Sequence, residues 1–234
     1  MSEPIQVFFM ADACPLGLAD VCPDLAWRAA TEIQKENPLV TIQILRASPW
    51  EKTYDKLFCK VRTCFSKLYR QYPNKKYYFK IDTDTILLPL RFFQFVNTLM
   101  MIAEDVGYPH YFGTITESGS GRLLCGDRPK WAALGPTHKG GLCFGQGGAG
   151  YGLNNQAMKL LTSNDTGCSR NTEELWPEDV YTALQLYRTA NVTIMHCSGF
   201  RSSEVVTSEL LSKAITFHYT NTTWLTLSGP QLKQ

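Results

Sequence analysis

Two aspartates with one residue between them, Asp82 and Asp84, follow the aromatic-rich run at residues 77–81. Such a run is typical of a buried strand, so both carboxylates are expected just past its end, pointing the same way. Leaving two such charges unpaired is costly, and carboxylate oxygens suit Mg²⁺ or Mn²⁺. A metal ion held there with open positions can grip a diphosphate and stabilise it as a leaving group. The alternative is a solvated turn, which Asp and Thr also favour.

A glycine-rich run, residues 145–152, is the second candidate. It contains the G-x-G-x-x-G spacing of dinucleotide-binding loops, but it lies past the middle of the chain. The following residues, 151–155, are predicted to continue irregular backbone and not to open a helix. The run therefore fits either a tight turn that needs positive φ, or backbone packed closely against a bound sugar or phosphate.

Two acids, Glu178 and Asp179, follow Trp176 and Pro177 at the start of a predicted helix. Proline at the first helical position and acids in the first turn are ordinary capping features. The alternative is a carboxylate that faces a cleft and takes a proton from an incoming hydroxyl, which contributes roughly 10²–10⁴ in rate. Asp179 is the first candidate for this base, and Glu178 is the second.

A histidine between two aromatic residues, His218, lies on a predicted late strand. A histidine in this setting is commonly part of a packed core. A neutral imidazole is also a common metal ligand, and His218 would then complete the site begun by Asp82 and Asp84.

The elements predicted around these residues alternate between strands and helices in the first half of the chain. Strands are predicted at 5–10, 40–45 and 77–81, and helical spacing of apolar residues occurs at 25–33, 57–68 and 92–102. This alternation predicts an α/β fold with a mainly parallel twisted sheet and crossover helices on both faces. Ligands bind outside the carboxyl ends of strands in such sheets, where Asp12 also falls.

The second half of the chain is less regular. Strands are predicted at 111–116, 192–195 and 214–218, and helices at 155–161 and 177–190. The length of 234 residues fits one large domain, and 44% hydrophobic residues with a net charge of +2 allow a packed core. This small charge gives no indication of nucleic-acid binding.

Eight cysteines without a C-x-x-C pair argue against a structural zinc site. Together with three N-x-S/T sequons, they favour an oxidising, lumenal compartment. The sequence shows no signal peptide and no apolar span of membrane-crossing length, which taken literally predicts a cytosolic chain. If the protein is lumenal, its targeting segment is expected outside this sequence.

In their order along the chain, these motifs resemble glycosyltransferase family 31, the β1,3-glycosyltransferases with a GT-A fold. The core 1 β1,3-galactosyltransferase and Fringe branches are the most similar. The segments that carry the resemblance are residues 54–60, 80–85, 130–131, 147–151, 178–180 and 217–218. The sequence departs from the family at Thr83, where three consecutive acids are common, and in the long polar stretch 119–142.

The resemblance implies an inverting, Mn²⁺-dependent transfer of a sugar from a UDP-sugar to a hydroxyl of a glycan or glycoprotein, with Mg²⁺ as the alternative ion. Galactose is the favoured sugar and N-acetylglucosamine the next, and the linkage would be β1,3. A single GT-A-type domain over 1–234 is expected, with a Rossmann-like nucleotide-sugar-binding half at about 1–110 and an acceptor-binding, catalytic half at about 111–234. The family also implies a type II membrane protein of the Golgi or ER lumen, and a homodimer is the expected assembly.

The resemblance also assigns roles to individual residues of this chain. Asp179, then Glu178, would be catalytic. Asp82, Asp84 and His218 would bind the metal ion. The nucleotide-sugar would contact Asp12, Lys60, Asp82, Asp84, Gly147, Gly148 and Ala149. The acceptor would contact Trp131, Tyr151 and Trp176.

Two other functions fit parts of the sequence. Asp82-x-Asp84 after a strand nearly matches the haloacid-dehalogenase phosphatase motif, in which the first aspartate is the nucleophile and Mg²⁺ bridges to phosphate. That family adds a later G-D-x-x-x-D, whereas the Gly-Asp pair at 126–127 has Trp131 four residues on. The other alternative is a catalytically silent, transferase-like binding or chaperone subunit, because a fold does not guarantee an activity.

Overall fold

The structure, a computed structural model, describes residues 5–11, 35, 40–46, 57–82, 85–103, 107–115, 142–163, 177–202 and 212–218. The chain divides into two compact units. The first unit is Met1–Gln71 with Asp165–Glu178, and the second is Tyr72–Asn164 with Asp179–Gln234. The single GT-A-type domain over 1–234 stays a prediction.

The first unit contains a parallel pair of strands and a helix. Strand β1 (Ile5–Ala11) pairs with β2 (Val40–Arg46), with Ile5 opposite Val40. Helix α1 (Leu57–Gln71) buries Phe58 and Phe65 on its apolar face. These elements confirm the predicted strands and helix to within a few residues. The helix predicted at 25–33 lies outside the described residues.

The second unit contains two small sheets. In the first sheet, β3 (Tyr77–Lys80) and β5 (Tyr111–Gly113) both pair antiparallel with β6 (Tyr151–Asn154), and β7 (Ile194–His196) pairs parallel with β5. In the second sheet, β9 (Thr216–His218) lies between β4 (Thr85–Leu87) and β8 (Phe200–Ser202). Strand β4 is antiparallel to β9, whereas β8 is parallel to it.

The prediction of a mainly parallel sheet is wrong for the described strands. Three of their pairings are antiparallel and three are parallel. Two of the three antiparallel pairings involve β6, which was predicted to be irregular and instead runs back between β3 and β5, and the third joins β4 to β9. The described part of the chain is a mixed α/β structure.

Three further helices are described, and all of them lie after residue 88. They are α2 (Pro89–Ala103), α3 (Asn155–Ser163) and α4 (Glu178–Ala190). All three were predicted, and α3 follows β6 without a break. Asn154, the last residue of β6, caps the N-terminus of α3, because its side-chain Oδ1 accepts the backbone N–H of Ala157 at 2.9 Å.

An aromatic core holds α2 against the strands of the second unit. Phe112 and Phe200 are almost fully buried, and Phe92 and Phe95 of α2 pack against their cluster. The rings of Phe95 and Phe112 meet edge to face with centroids 5.5 Å apart, a geometry worth about 0.5–1.5 kcal/mol beyond burial. Ala149 of the glycine-rich run belongs to the same cluster, so the core fixes one point of that run.

Candidate functional site

The glycine-rich run forms a tight loop that leads into β6. The Gly145 N–H donates to the Tyr111 hydroxyl at 2.8 Å, and the Gly150 N–H donates to the Gly147 carbonyl at 3.1 Å. Gly150 has a φ of 91°, a left-handed conformation that glycine adopts at little cost. The interpretation as a turn that needs positive φ is confirmed at Gly150. Close approach of the run to a sugar or phosphate stays a prediction.

Three successive carbonyl groups of this loop accept side-chain hydrogen bonds. The donors come from three different strands, which are β3, β4 and β9. The bonds are Lys80 Nζ to Gly147 O at 3.0 Å, Thr85 Oγ1 to Gly148 O at 2.6 Å, and Thr216 Oγ1 to Ala149 O at 2.5 Å. Both sheets of the second unit therefore fix the conformation of the loop.

Asp179, the first candidate for a catalytic base, contacts this loop directly. Its Oδ2 accepts the Gly147 N–H at 3.1 Å, and its Oδ1 accepts the Val180 N–H at 2.8 Å. The Val180 bond is a local helix-start contact, but the Gly147 bond joins α4 to a loop 32 residues earlier in the chain. Helix capping alone does not account for that second contact.

The electrostatics of Asp179 suit a proton acceptor. Burial raises the pKa of this carboxyl, and the N–H groups of Gly147 and Val180 and the charge of Lys80 act in the opposite direction. A partly buried carboxylate whose pKa is raised takes a proton more readily than one in water. Perturbed groups of this kind are enriched at catalytic sites.

His218 lies against the same loop. A Cβ atom added to Gly148 would be 2.7 Å from both Cε1 and Nδ1 of the His218 imidazole, so the ring occupies the space above that glycine. His218 also pairs with Thr85 in the β4–β9 ladder. Asp84 lies outside the described residues, but it is bonded directly to Thr85.

Asp82 has a charged partner inside the described chain. Its Oδ1 is 2.6 Å from Lys80 Nζ, and the side chains of Asp82 and Lys80 are 37% and 10% exposed. The Asp82 carbonyl also accepts the Thr85 N–H at 3.1 Å. Lys80 therefore offsets part of the negative charge from which the metal site was predicted.

Among the described residues, no group of three His, Cys, Asp or Glu side chains is placed to hold a metal ion. Because Asp84 is outside those residues, the predicted set of Asp82, Asp84 and His218 stays a prediction. The donor types present do fit a hard divalent ion, since carboxylate oxygen and imidazole nitrogen both suit Mn²⁺.

The other predicted site residues fall into three groups. Ala149 and Tyr151 are 0% exposed, and Tyr151 Oη is 3.3 Å from Thr182 Oγ1; their contacts with donor and acceptor stay predictions. Lys60 and Glu178 belong to the first unit, where Glu178 is 3% exposed. The predictions for Asp12, Asp84, Trp131 and Trp176 lie outside the described residues.

Sequence reasoning missed the three donors Lys80, Thr85 and Thr216. Threonines on strands carry no signal that separates a buried hydrogen bond from an exposed hydroxyl. The sequence did contain a signal for Lys80. Lys80 and Asp82 are two residues apart at the end of a strand, where alternate side chains lie on the same face, so an ion pair between them could have been predicted.

The cysteines of the described chain are of two kinds. Cys59 and Cys143 are disulfide-bonded, whereas Cys64 and Cys197 are free thiols. Burial raises the pKa of Cys64 to about 12 and also raises the pKa of Cys197. Neither thiol is a thiolate near neutral pH, so neither has the character of a nucleophile. None of the helices in the described ranges has the length and apolar character needed to cross a bilayer.

The contact between Gly148 and His218 predicts a steric effect. Gly148→Ala is expected to displace the imidazole and to lower the free energy of unfolding by about 1–3 kcal/mol, because the new methyl group overpacks the space above the loop. Urea denaturation measures this change. Gly107→Ala is the matched control, since the nearest side-chain atom to its added Cβ is 3.8 Å away. Equal stabilities of the two variants would contradict the assigned packing.

No family model matches this sequence, and no curated protein matches it significantly. One solved structure that it resembles is described as a glycosyltransferase involved in the glycosylation of the major capsid of PBCV-1. The sequence identity is 12% and the TM-score 0.44, and the match covers 92% of this chain and 93% of that one. A likeness at this level is too weak to assign a fold or an activity, so the function must be inferred from the residues of this chain.

Proposed function

We propose that this chain is a glycosyltransferase that moves a sugar from a UDP-sugar to a hydroxyl group, with inversion and with the help of Mn²⁺ or Mg²⁺. One observation carries the proposal. Motifs that are far apart in the sequence meet at one loop, where Asp179 bonds to Gly147, His218 packs on Gly148, and Lys80 joins Gly147 to Asp82. Such a transfer uses a proton acceptor and a metal ion, and an imidazole and a carboxylate motif can supply ligands for that ion.

Asp179 is the proposed base. The acceptor hydroxyl attacks the anomeric carbon on the face opposite the UDP, the bond from that carbon to the diphosphate oxygen breaks to release UDP, and Asp179 takes the hydroxyl proton. Its two backbone hydrogen bonds fix the orientation of the carboxylate, and burial keeps its basicity above that of an exposed aspartate. No protein nucleophile is required.

The proposed metal ligands are Asp84 and His218, with Asp82 beside them. Asp82 shares its charge with Lys80, which favours Asp84 as the main carboxylate ligand. A divalent ion held by these residues would supply positive charge that offsets the negative charge on the leaving diphosphate. The hydrogen bond from the Thr85 N–H to the Asp82 carbonyl and the pairing of Thr85 with His218 support this grouping.

The proposed donor is UDP-galactose, with UDP-N-acetylglucosamine as the next candidate, and the proposed acceptor is a glycan or glycoprotein that receives a β1,3 linkage. A lumenal Golgi or ER location is part of the proposal. The disulfide bonds of Cys59 and Cys143 support it, because disulfides persist mainly in oxidising compartments. Contacts of Trp131 and Trp176 with the acceptor are proposed from the resemblance, and a homodimeric assembly is proposed separately from it.

A panel of UDP-sugars tests the proposal. We expect the chain to hydrolyse one UDP-sugar in the presence of Mn²⁺ and to stop when EDTA is added. When a glycan acceptor is added, the sugar should be transferred to that acceptor in place of water. Binding of UDP and Mn²⁺ without hydrolysis or transfer would instead support the silent binding subunit. Hydrolysis of p-nitrophenyl phosphate with no action on UDP-sugars would overturn the proposal in favour of the phosphatase.

A further inference from the structure

Lys80 is a charged side chain in an unusually enclosed position at the end of β3. Only 10% of its side chain is exposed. Its Nζ lies 2.6 Å from Asp82 Oδ1, 3.0 Å from the Gly147 carbonyl oxygen and 6.0 Å from the centre of the Tyr151 ring. A lysine this enclosed is retained only when its charge is paired and hydrogen-bonded, and these contacts supply both.

The contacts of Lys80 form a continuous path between two proposed parts of the site. Asp82 contacts Lys80, Lys80 donates to the Gly147 carbonyl, and the Gly147 N–H donates to Asp179. The charge of Lys80 also acts on Asp179 through space, where it lowers the pKa that burial raises. One side chain therefore links the carboxylate motif to the loop that orients the proposed base.

We propose that Lys80 is a positioning residue, which holds Asp82 and the Gly147 segment in the relative placement that the transfer reaction requires. The inference rests on the proposed function and extends it to a residue outside the predicted site. Lys80 contacts no substrate in this role. Its effect on the reaction passes through Asp82 and through the orientation of Asp179.

The kinetic constants of Lys80→Met distinguish a positioning role from a merely structural one. We expect kcat to fall about tenfold or more while the KM for the UDP-sugar changes less than about threefold, because the variant loses alignment and not donor contacts. Mn²⁺ binding in the presence of UDP should be unchanged or tighter, since the competing cation beside Asp82 is gone. Lys80→Arg should recover activity to within about fivefold, because a guanidinium can donate to both partners.

The experiment measures steady-state kinetics and calorimetric Mn²⁺ binding for wild type, Lys80→Met, Lys80→Arg and the control Lys159→Met. Lys159 is an exposed lysine on α3, so its loss should leave every parameter unchanged. Circular dichroism confirms that each variant is folded. If Lys80→Met does not fold, Lys80→Gln takes its place, because it keeps a donor for Gly147 without the charge.

The outcomes separate this inference from the proposed function. An active wild type whose Lys80→Met and Lys80→Gln variants keep their kcat would overturn the positioning role alone. Equal losses of kcat, donor affinity and Mn²⁺ affinity would also overturn it, since they indicate a general collapse of the loop. A wild-type chain that shows no Mn²⁺-dependent action on any UDP-sugar would overturn the proposed function and this inference together.

Discussion

Asp179→Asn is expected to lower the turnover of sugar transfer at least about a hundredfold while leaving UDP binding nearly unchanged. Asparagine has almost the same shape and keeps one oxygen that can accept the Gly147 N–H, so the contact between α4 and the loop can persist. What the variant loses is the ability to take a proton. The measurements are kcat for transfer and the affinity for UDP with Mn²⁺ by calorimetry.

Glu178→Gln is the matched control for this prediction, because Glu178 is the neighbouring acid and is buried in the first unit. It should retain most of the turnover. If Glu178→Gln is inactive and Asp179→Asn is not, the base has been assigned to the wrong acid. The wild-type rate should also fall as the pH is lowered, and the fall should begin at a higher pH than it would for an exposed aspartate. The reason is that burial raises the pKa of Asp179 and the base works only when deprotonated.

Asp84→Ala is expected to weaken Mn²⁺-dependent UDP binding by at least about tenfold, because it removes the proposed main carboxylate ligand. UDP binding measured without metal should be the same in wild type and variant. Calorimetric titration of UDP with and without Mn²⁺ gives both values.

Asp82→Asn provides the graded comparison for Asp84→Ala. Its effect should be smaller, since Lys80 already engages the Asp82 carboxylate in the described structure. The metal assignment would be refuted if wild-type UDP binding were indifferent to Mn²⁺. It would also be refuted if Asp84→Ala bound UDP and Mn²⁺ as tightly as wild type.

Much of the secondary structure could be read from the sequence. Helix α1 and helix α2 show the 3.6-residue spacing of apolar side chains, and their observed bounds follow it. Strands β4 and β8 were missed: β8 is Phe-Arg-Ser and has no apolar run, and the apolar residues of β4 stop at Pro89. Strand β6 was missed because Gly152 and Asn154 disfavour strands, and pairing on both sides outweighs that local preference.

The candidate site was predictable in its parts but not in its assembly. Asp179 and His218 could be selected by residue type and by their place on predicted elements. Their shared contact with the loop at 147–148 could not, because it joins segments far apart in the chain. The direction of β6 could not be predicted either. The alternation of strands and helices gives their order along the chain, but it does not say whether a strand will pair parallel or antiparallel with its neighbours.

The three side-chain bonds to the loop have a consequence for folding. They connect residues separated by 67, 63 and 67 positions along the chain. Contacts of such separation form late, because the entropy of closing the intervening chain must be overcome before they contribute. We therefore expect the loop to reach its native conformation only once strands of both sheets of the second unit are in place.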